Sequence, residues 1–415
     1  VAVLVDLMWR PQAGGHVKCW ERLAEAAARV GGVDLSVHFQ GEDDRVVQRA
    51  DNVRYVLHRP VFSTSRLPFL SHVPDHTDLA SWHPRLARAL DEYDVIHTTD
   101  AFFAFARTAE AVAARRGVPL VSSVHTDTPR YTRVFMERTL ERLLGSGWLT
   151  RLLVERVGLP ARGERDMLRR LAEHQRRCAF VLVSNADDGR TAGRALPADR
   201  VRLMRRGIDS ALFTPAKRDR ARLEAVYGVP RDAALVLFAG RVNRGKRVMA
   251  LAHAVRRLRD DGLPVHLLCA GEGEERAAVL ALLGDGASCP GAVAQDELAV
   301  LYASADLFAF PSEIETFGNV LLEALASGTG LAVAARAVTA QLVVPGETGL
   351  LVEGAGTDGA GAGDWAAALG PLLADRPRLA AMGVAAARYA AQAVPSWDEV
   401  FSRDVLALWR TAAGR

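Results

Sequence analysis

Lysine is nearly absent from this chain. Of its 52 basic residues only Lys18, Lys217 and Lys246 are lysine, and the other 49 are arginine. A chain that uses arginine wherever any cation serves marks its lysines as places where a compact ammonium fits and a planar guanidinium does not. Chance retention explains any single one of them as well. Two of the three fall beside glycine-rich loops. Cysteine is also scarce. Cys19, Cys178, Cys269 and Cys289 are scattered with no ligand spacing. They read as reduced thiols in a cytoplasmic protein, which argues against a zinc site or a disulfide frame. Long apolar runs are missing. Nothing approaches the roughly 18 uninterrupted apolar residues of a membrane span. No signal peptide is visible, because Val1 to Leu7 reads as a strand. The net charge of +3 does not imply a nucleic-acid partner, and no short internal repeat is present.

At 415 residues the chain is too long for one ordinary core, so two domains are expected. A hydrophobic fraction of 49% and a charged fraction of 24% are those of a soluble globular protein. Strand-like and helix-like segments alternate from end to end, which predicts α/β architecture with parallel sheets. Strands are expected at Val1–Leu7, Leu35–Gln40, Val53–His58, Val95–Thr99, Leu120–His125 and Ala179–Ser184. In the second half they are expected at Ala234–Ala239, Val265–Ala270, Leu307–Pro311 and Leu331–Ala335. Helical periodicity covers Val17–Val30, Pro84–Tyr93, Arg247–Asp260, Glu275–Leu283, Asp296–Ser304 and Phe317–Ser327. A turn-rich break at Arg206–Pro215 separates a domain of residues 1–206 from one of residues 207–395. Gly354–Gly363 reads as a loop without assignable chemistry. The tail Ser396–Arg410 is an amphipathic helix with Trp397, Phe401, Val405, Leu408 and Trp409 on its apolar side. Two parallel-sheet domains bind ligands at the carboxyl ends of their strands, which is where the informative loops fall.

The first such loop follows the apolar run Leu307–Phe310. A helix opens near Phe317–Gly318, with Glu315 just before it and Glu323 about two turns on, among Val320, Leu321, Leu322, Ala324 and Leu325. A carboxylate in so apolar a helix needs partners, because desolvating it costs several kcal/mol, and ligand hydroxyls would satisfy it. The helix start offers backbone N–H groups and a positive dipole end to an anion such as phosphate. A capped helix with one acid on its solvated edge would show the same spacing. The second loop, Gly240–Arg247, imitates a phosphate-binding P-loop in its Gly240-x4-Gly245-Lys246 spacing. Arg247 stands where that motif needs Ser or Thr for magnesium. What remains is two cations, Arg241 and Lys246, at a helix start, enough to clamp a diphosphate; two solvated cations at a turn is the plainer reading. Weaker signals are Gly14-Gly15 before a helix, Gly271 in a strand-to-helix turn, and His125 at a strand's carboxyl end. A tight turn and a structural histidine account for these equally well.

Taken together these loops resemble the GT-B class of retaining glycosyltransferases, specifically glycosyltransferase family 4. Glu315 to Glu323 matches the family's Glu-x7-Glu motif, and Gly240 to Lys246 matches its diphosphate clamp. Gly207-Ile208-Asp209 with Phe213 and Pro215 looks like its interdomain segment, and the last helix, residues 396–415, is similar to the one that crosses back to the first domain. The resemblance implies two Rossmann-like domains facing across a cleft, the first on the acceptor side and the second holding a nucleotide sugar, such as a UDP or GDP sugar, in a bacterial enzyme. By resemblance Arg241 and Lys246 hold the diphosphate and Glu323 the ribose hydroxyls. Glu315 contacts the transferred sugar, and the backbone N–H groups of Phe317, Gly318 and Asn319 contact sugar and phosphate. His125 lies near the reacting carbon, Gly15 admits the β-phosphate with Gly14 in the same donor-contact loop, and Gly271 belongs to the donor loops. No metal and no cofactor is expected beyond the nucleoside diphosphate sugar as co-substrate, and the family mechanism is front-face attack with retention. The chain departs from the family pattern after Gly328, where Thr329–Val333 and Ala337–Gln341 replace its usual residues; the sugar stays open.

A nucleotide-sugar epimerase or a glucan phosphorylase would share this architecture. A non-catalytic sugar-nucleotide module is disfavoured by the presence of both glutamates and both cations. The acceptor is unread, with a lipid-linked molecule as one option. Arg130–Arg177 carries twelve arginines among Leu140, Leu143, Leu144, Trp148, Leu149, Leu152 and Leu153. Such a surface suits peripheral contact with an anionic membrane, or it is a solvated, salt-bridged helix pair.

Overall fold

The computed structural model describes the chain except for residues 11–12, 68–75, 146, 314–316, 355–360 and 415. The chain divides into two units, Val1–Arg205 with Trp397–Arg415, and Arg206–Ser396.

The first unit is built on eight strands: β1 (Ala2–Met8), β2 (Leu35–Gln40), β3 (Arg45–Ala50), β4 (Val53–His58), β5 (Ile96–Thr98), β6 (Leu120–Ser123), β7 (Phe180–Val183) and β8 (Val201–Leu203). Their order is β3-β4-β2-β1-β5-β6-β7-β8, parallel except where β3 runs antiparallel to β4. The chain first builds outward from β1 through β2 to β4, then returns to the other side of β1 with β5. The carboxyl ends of β1 and β5 therefore flank the point where strand order reverses, the place such sheets use for ligands. The tail Trp397–Ala412 is one helical stretch whose middle, Phe401–Leu406, is π-helical. Trp397, Phe401, Val405, Leu408 and Trp409 are all buried, packed with Trp20 and Leu23 of the helix Gly15–Val30.

The second unit carries β9 (Ala234–Ala239), β10 (Val265–Ala270), β11 (Ala287–Gly291), β12 (Leu307–Phe310), β13 (Gly330–Ala334) and β14 (Gly349–Val352), all parallel, in the order β11-β10-β9-β12-β13-β14. Here the reversal lies between β9 and β12. Each residue of β9, β10 and β12 is buried. Continuous apolar runs are what a sheet covered on both faces requires, and their side chains form one core with the surrounding helices.

The strands missed from sequence are β3, β8, β11 and β14. All four are exposed wholly or in part and edge the sheets. β3 reads Arg-Val-Val-Gln-Arg-Ala, and β11 contains Pro290. Both are devices of edge strands, which gain nothing from an apolar run. Three expected elements are corrected. The strand expected to end in His125 stops at Ser123. The helix expected from Phe317 begins at Asn319, because Gly318 is left-handed (φ +83°) and cannot continue it backward. The loop expected over Gly354–Gly363 gives way to helix at Ala362, and its residues 355–360 lie outside the described residues.

Candidate active site

In the second unit, the loop after β9 is held by its own side chains. Asn243 Oδ1 accepts from the Lys246 backbone N–H at 3.1 Å and caps one tight turn, Arg244–Lys246. The chain then passes through Arg247 at φ +58°, the non-glycine residue with positive φ among the described residues, before the helix Val248–Asp260 starts. A left-handed residue costs about 1–2 kcal/mol. The buried Arg247 guanidinium is ion-paired with Glu313 on the loop after β12, which offsets that cost and ties the two loops together. Lys246 therefore does not open a long helix, as the spacing suggested; it ends a separate turn that the Arg247 conformation sets apart. Its ammonium stands 5.8 Å from the centre of the Phe310 ring, at the last residue of β12. Arg241 is exposed.

Gly271 has an internal reason to be glycine. A Cβ there would stand 1.9 Å from the carbonyl oxygen of Gly240, and one at Gly273 2.1 Å from that of Val242. The Gly240 N–H donates to Ala270 O at 2.9 Å and the Val242 N–H to Glu272 O at 2.9 Å. These glycines let the loops after β9 and β10 lie on one another, at the same carboxyl edge as the cations.

After β12 the chain passes Ser312 and Glu313. The expectation for Glu315 lies outside the described residues. Phe317 lies beneath the Arg206 guanidinium at 5.6 Å. A Cβ on Gly318 would clash with Thr339 Cγ2 at 2.6 Å and Leu321 Cδ1 at 2.9 Å, so this position is glycine by packing as well as by φ. The helix Asn319–Ala326 follows with its first-turn N–H groups at the sheet's carboxyl end. Glu323, on that helix, is half-buried, and its Oε2 accepts from the Tyr302 hydroxyl at 3.1 Å. Tyr302 is fully buried, and its pKa is pushed up by burial and by the Glu323 charge, so it remains a donor. Tyr302, Arg206 and Glu313 were not read from sequence. A buried tyrosine needs a hydroxyl partner, which was the available signal for Tyr302; for the other two nothing local marked them.

In the first unit, Gly14 caps the helix Gly15–Val30 with an ordinary φ of −68°, and a Cβ there would meet nothing within 4 Å. Neither backbone nor internal packing requires this glycine, in contrast to Gly271. His16, directly after Gly15, stacks on His125 with ring centres 4.4 Å apart and planes 6° apart. The glycine turn and His125 are thus one cluster. His125 is buried, and its Nε2 accepts from Trp20 Nε1 at 3.1 Å and lies 2.8 Å from Ser123 Oγ. Lys18, by contrast, pairs with Glu21 at 2.7 Å and Lys217 with Asp296 at 3.5 Å. These are partly exposed ion pairs, whereas Lys246 ends the tight turn after β9.

The arginine-rich stretch folds as the packed helices Thr128–Leu144 and Leu159–Arg177, joined by the short helical segments Trp148–Arg151 and Leu152–Arg156. Ion pairs engage Arg133 with Glu137 and Glu164, and Arg169 and Arg170 with Asp166. At the end where the two long helices connect, Trp148 is 74% and Leu143 63% exposed, next to exposed Leu144, Leu149 and Leu152. Among the described residues no helix is long and apolar enough to cross a membrane.

Comparisons with known proteins bear on this geometry. The family model described as Glycosyltransferase Family 4 matches residues 13–212, and the one described as Glycosyl transferases group 1 matches residues 233–375. A D-inositol 3-phosphate glycosyltransferase of Catenulispora acidiphila is 32% identical over 351 residues, covering 79% of this chain and 74% of that protein. One from a Nocardioides species is 31% identical, covering 79% and 69%. Among solved structures, sucrose-phosphate synthase of Thermosynechococcus elongatus matches with a TM-score of 0.72 at 20% identity, covering 100% of this chain and 99% of that one. HepE of Anabaena, solved with UDP-glucose, matches at 0.68 and 17%, covering 99% of each. Two Rossmann-like parallel-sheet units of this kind are the GT-B fold of glycosyltransferases. The chain belongs to glycosyltransferase family 4, the glycosyl transferases group 1.

Proposed function

We propose that this glycosyltransferase moves a hexosyl unit from a nucleoside diphosphate sugar to an acceptor hydroxyl, without metal and with the anomeric configuration retained. The observation that carries the reading is the reversal point between β9 and β12. The Gly240–Lys246 turn, the Arg247–Glu313 tie and the start of the helix bearing Glu323 all lie at the carboxyl ends of those two neighbouring strands. Strands, cations and helix start converge where this sheet type holds nucleotides.

Breaking a glycosyl–phosphate bond puts negative charge on the leaving diphosphate and positive charge on the sugar ring. Arg241, Lys246 and the N–H groups of Phe317, Gly318 and Asn319 answer the first charge. They do so in place, since the loop is pre-set by Asn243 and by Arg247. Glu323, oriented by Tyr302, takes the ribose hydroxyls. In this reading Gly15 lets backbone approach the β-phosphate, Gly14 belongs to the same donor-binding turn, Gly271 completes the donor loops, Glu315 contacts the transferred sugar and His125 contacts it near the reacting carbon. A double displacement would need a carboxylate against the anomeric carbon. Front-face attack needs none, because the departing phosphate helps take the acceptor's proton. The solved HepE complex with UDP-glucose supports a nucleotide-sugar donor.

For the acceptor we propose delivery from an anionic membrane, through the exposed Trp148, Leu143 and Leu144 with the flanking Arg138, Arg142, Arg151 and Arg156. The soluble alternative is a phosphorylated polyol, the class named in the D-inositol 3-phosphate relatives. The donor reading is tested by thermal shift with UDP, GDP, ADP and dTDP sugars. A true donor at a hundred times its Kd stabilises by about 2.7 kcal/mol; no shift with any of the four contradicts the reading.

A further inference from the structure

In the first unit a line of hydrogen bonds runs from the carboxyl-terminal helix to His125, and both its ends are fixed by chemistry. Trp409 Nε1 stands 3.0 Å from His97 Nδ1, and His97 Nε2 is 2.9 Å from Ser123 Oγ. Ser123 Oγ is 2.8 Å from His125 Nε2, and Trp20 Nε1 reaches the same Nε2 at 3.1 Å. An indole nitrogen only donates. Trp409 therefore makes His97 Nδ1 an acceptor. His97 is fully buried and its pKa is lowered to about 3 by that burial, so the ring is neutral and its one proton sits on Nε2. That proton goes to Ser123, whose own hydroxyl proton is then directed at His125. Trp20 donates to the same His125 Nε2. The buried members are packed against one another: the Trp20 and Trp409 indoles stack with centres 6.4 Å apart, and each meets His97 edge-on at 4.9 and 5.8 Å.

We propose that Trp409, His97, Ser123 and Trp20 are positioning residues that hold His125 as a neutral imidazole protonated on Nδ1, making it a hydrogen-bond donor and barring Nε2 from proton transfer. Two donors converge on Nε2, so a proton placed there would face both. Reversing Ser123 would require His97 to move its proton to Nδ1, which Trp409 forbids. Trp409 lies just past the π-helical segment Phe401–Leu406, in which Ala407 N–H bonds Ser402 O. Such a segment carries an extra residue per turn and is often found where a helix serves a site. The last helix thus contributes chemistry to the first unit as well as apolar packing. The role given to His125 against the sugar rests on the function proposed above; its tautomer does not.

The test has two arms on the full chain. With 15N-labelled histidine, the ring signals of His125 are assigned by their loss in His125→Gln. The wild type is expected to show an unprotonated Nε2 and a protonated Nδ1, and the double variant Trp20→Phe with Ser123→Ala to populate the Nε2–H form. A protonated Nε2 in the wild type overturns the proposal, whether or not any donor is turned over. The second arm is a double-mutant cycle on kcat/KM for the donor found by thermal shift. Trp409→Phe and Ser123→Ala, which do not touch one another, are each expected to lose about tenfold, of the order of one hydrogen bond. Together they are expected to lose little more than the larger single loss, because both break the same line. Losses that multiply to about a hundredfold, or single variants with wild-type turnover, overturn the positioning role. Absence of turnover in the wild type with every nucleotide sugar would count against the proposed function and leave the first arm to decide the relay.

Discussion

The Tyr302 hydroxyl donates to Glu323 Oε2 at 3.1 Å, joining a fully buried phenol to a half-buried carboxylate on the next helix. This bond holds the carboxylate on the helix Asn319–Ala326 and orients it. Glu323→Ala is expected to raise the Kd for the nucleoside diphosphate on the order of 10- to 100-fold, with a smaller effect on turnover of the bound complex, since ribose bonds form in the ground state. Tyr302→Phe is expected to weaken binding less, because the carboxylate remains. Calorimetry that finds unchanged donor affinity in Glu323→Ala removes the ribose assignment.

Lys246→Arg is expected not to be conservative. The lysine ends a single tight turn capped by Asn243, with its ammonium over Phe310. The neighbouring Arg244 and Arg247 show that arginine was available locally. A planar guanidinium in that turn cannot place a point charge against the same phosphate oxygen. Loss of one charge-assisted bond costs about 1.5–3 kcal/mol, so donor turnover should fall by roughly ten- to a hundredfold. Retention of more than half the activity makes the lysine incidental.

Acid should destabilise the first unit through its buried histidines. His38, His58, His83 and His97 are all held below the ordinary imidazole value by burial, His58 at about 4 and His97 at about 3. His38 and His58 also face one another at 2.9 Å, so each disfavours the other's charge. In the unfolded chain these groups take up protons near pH 6.5, while the folded chain resists until nearer pH 4. Stability is therefore complete above about 6.5 and is lost as pH falls through that window, at about 1.4 kcal/mol per pH unit for each proton of difference. Asp6, Asp100 and His174 in the same unit are held above their ordinary values and act in the opposite sense, so the check is made on the rings themselves. The 15N-histidine signals of His38, His58, His83 and His97 are expected to stay those of neutral imidazole at pH 5, and protonated rings at that pH contradict the buried, neutral state of the cluster.

Vesicles test the acceptor surface. Anionic vesicles should bind the protein at low ionic strength and release it as salt rises, since the attraction is screened over about 10 Å at 0.1 M salt. Replacing Arg138, Arg142, Arg151 and Arg156 by glutamine should abolish binding and leave donor hydrolysis intact. A wild type that ignores anionic vesicles at low salt makes this a solvated helix pair and favours a soluble acceptor.

The sheet interiors were legible because burial on both faces demands unbroken apolar runs, as in Ala234–Ala239 and Val265–Ala270. β3 and β11 were not, because edge strands are polar or carry proline for reasons unrelated to a core. At the candidate site the cations and Glu323 stood out by spacing within one loop or helix. Tyr302, Glu313, Arg206 and Ser123 did not, since each acts on a residue brought near only by the fold. Gly14 and Gly271 look alike in sequence, yet packing demands one and not the other.

The most direct test of the account is proton NMR of the sugar released or transferred from the identified nucleoside diphosphate sugar, followed from the first minutes in the presence of a chelator. Turnover should continue with metal removed, and the anomeric proton should first appear with the donor's configuration. A product that first appears with the opposite configuration, or turnover that stops in chelator and returns with magnesium, would contradict it.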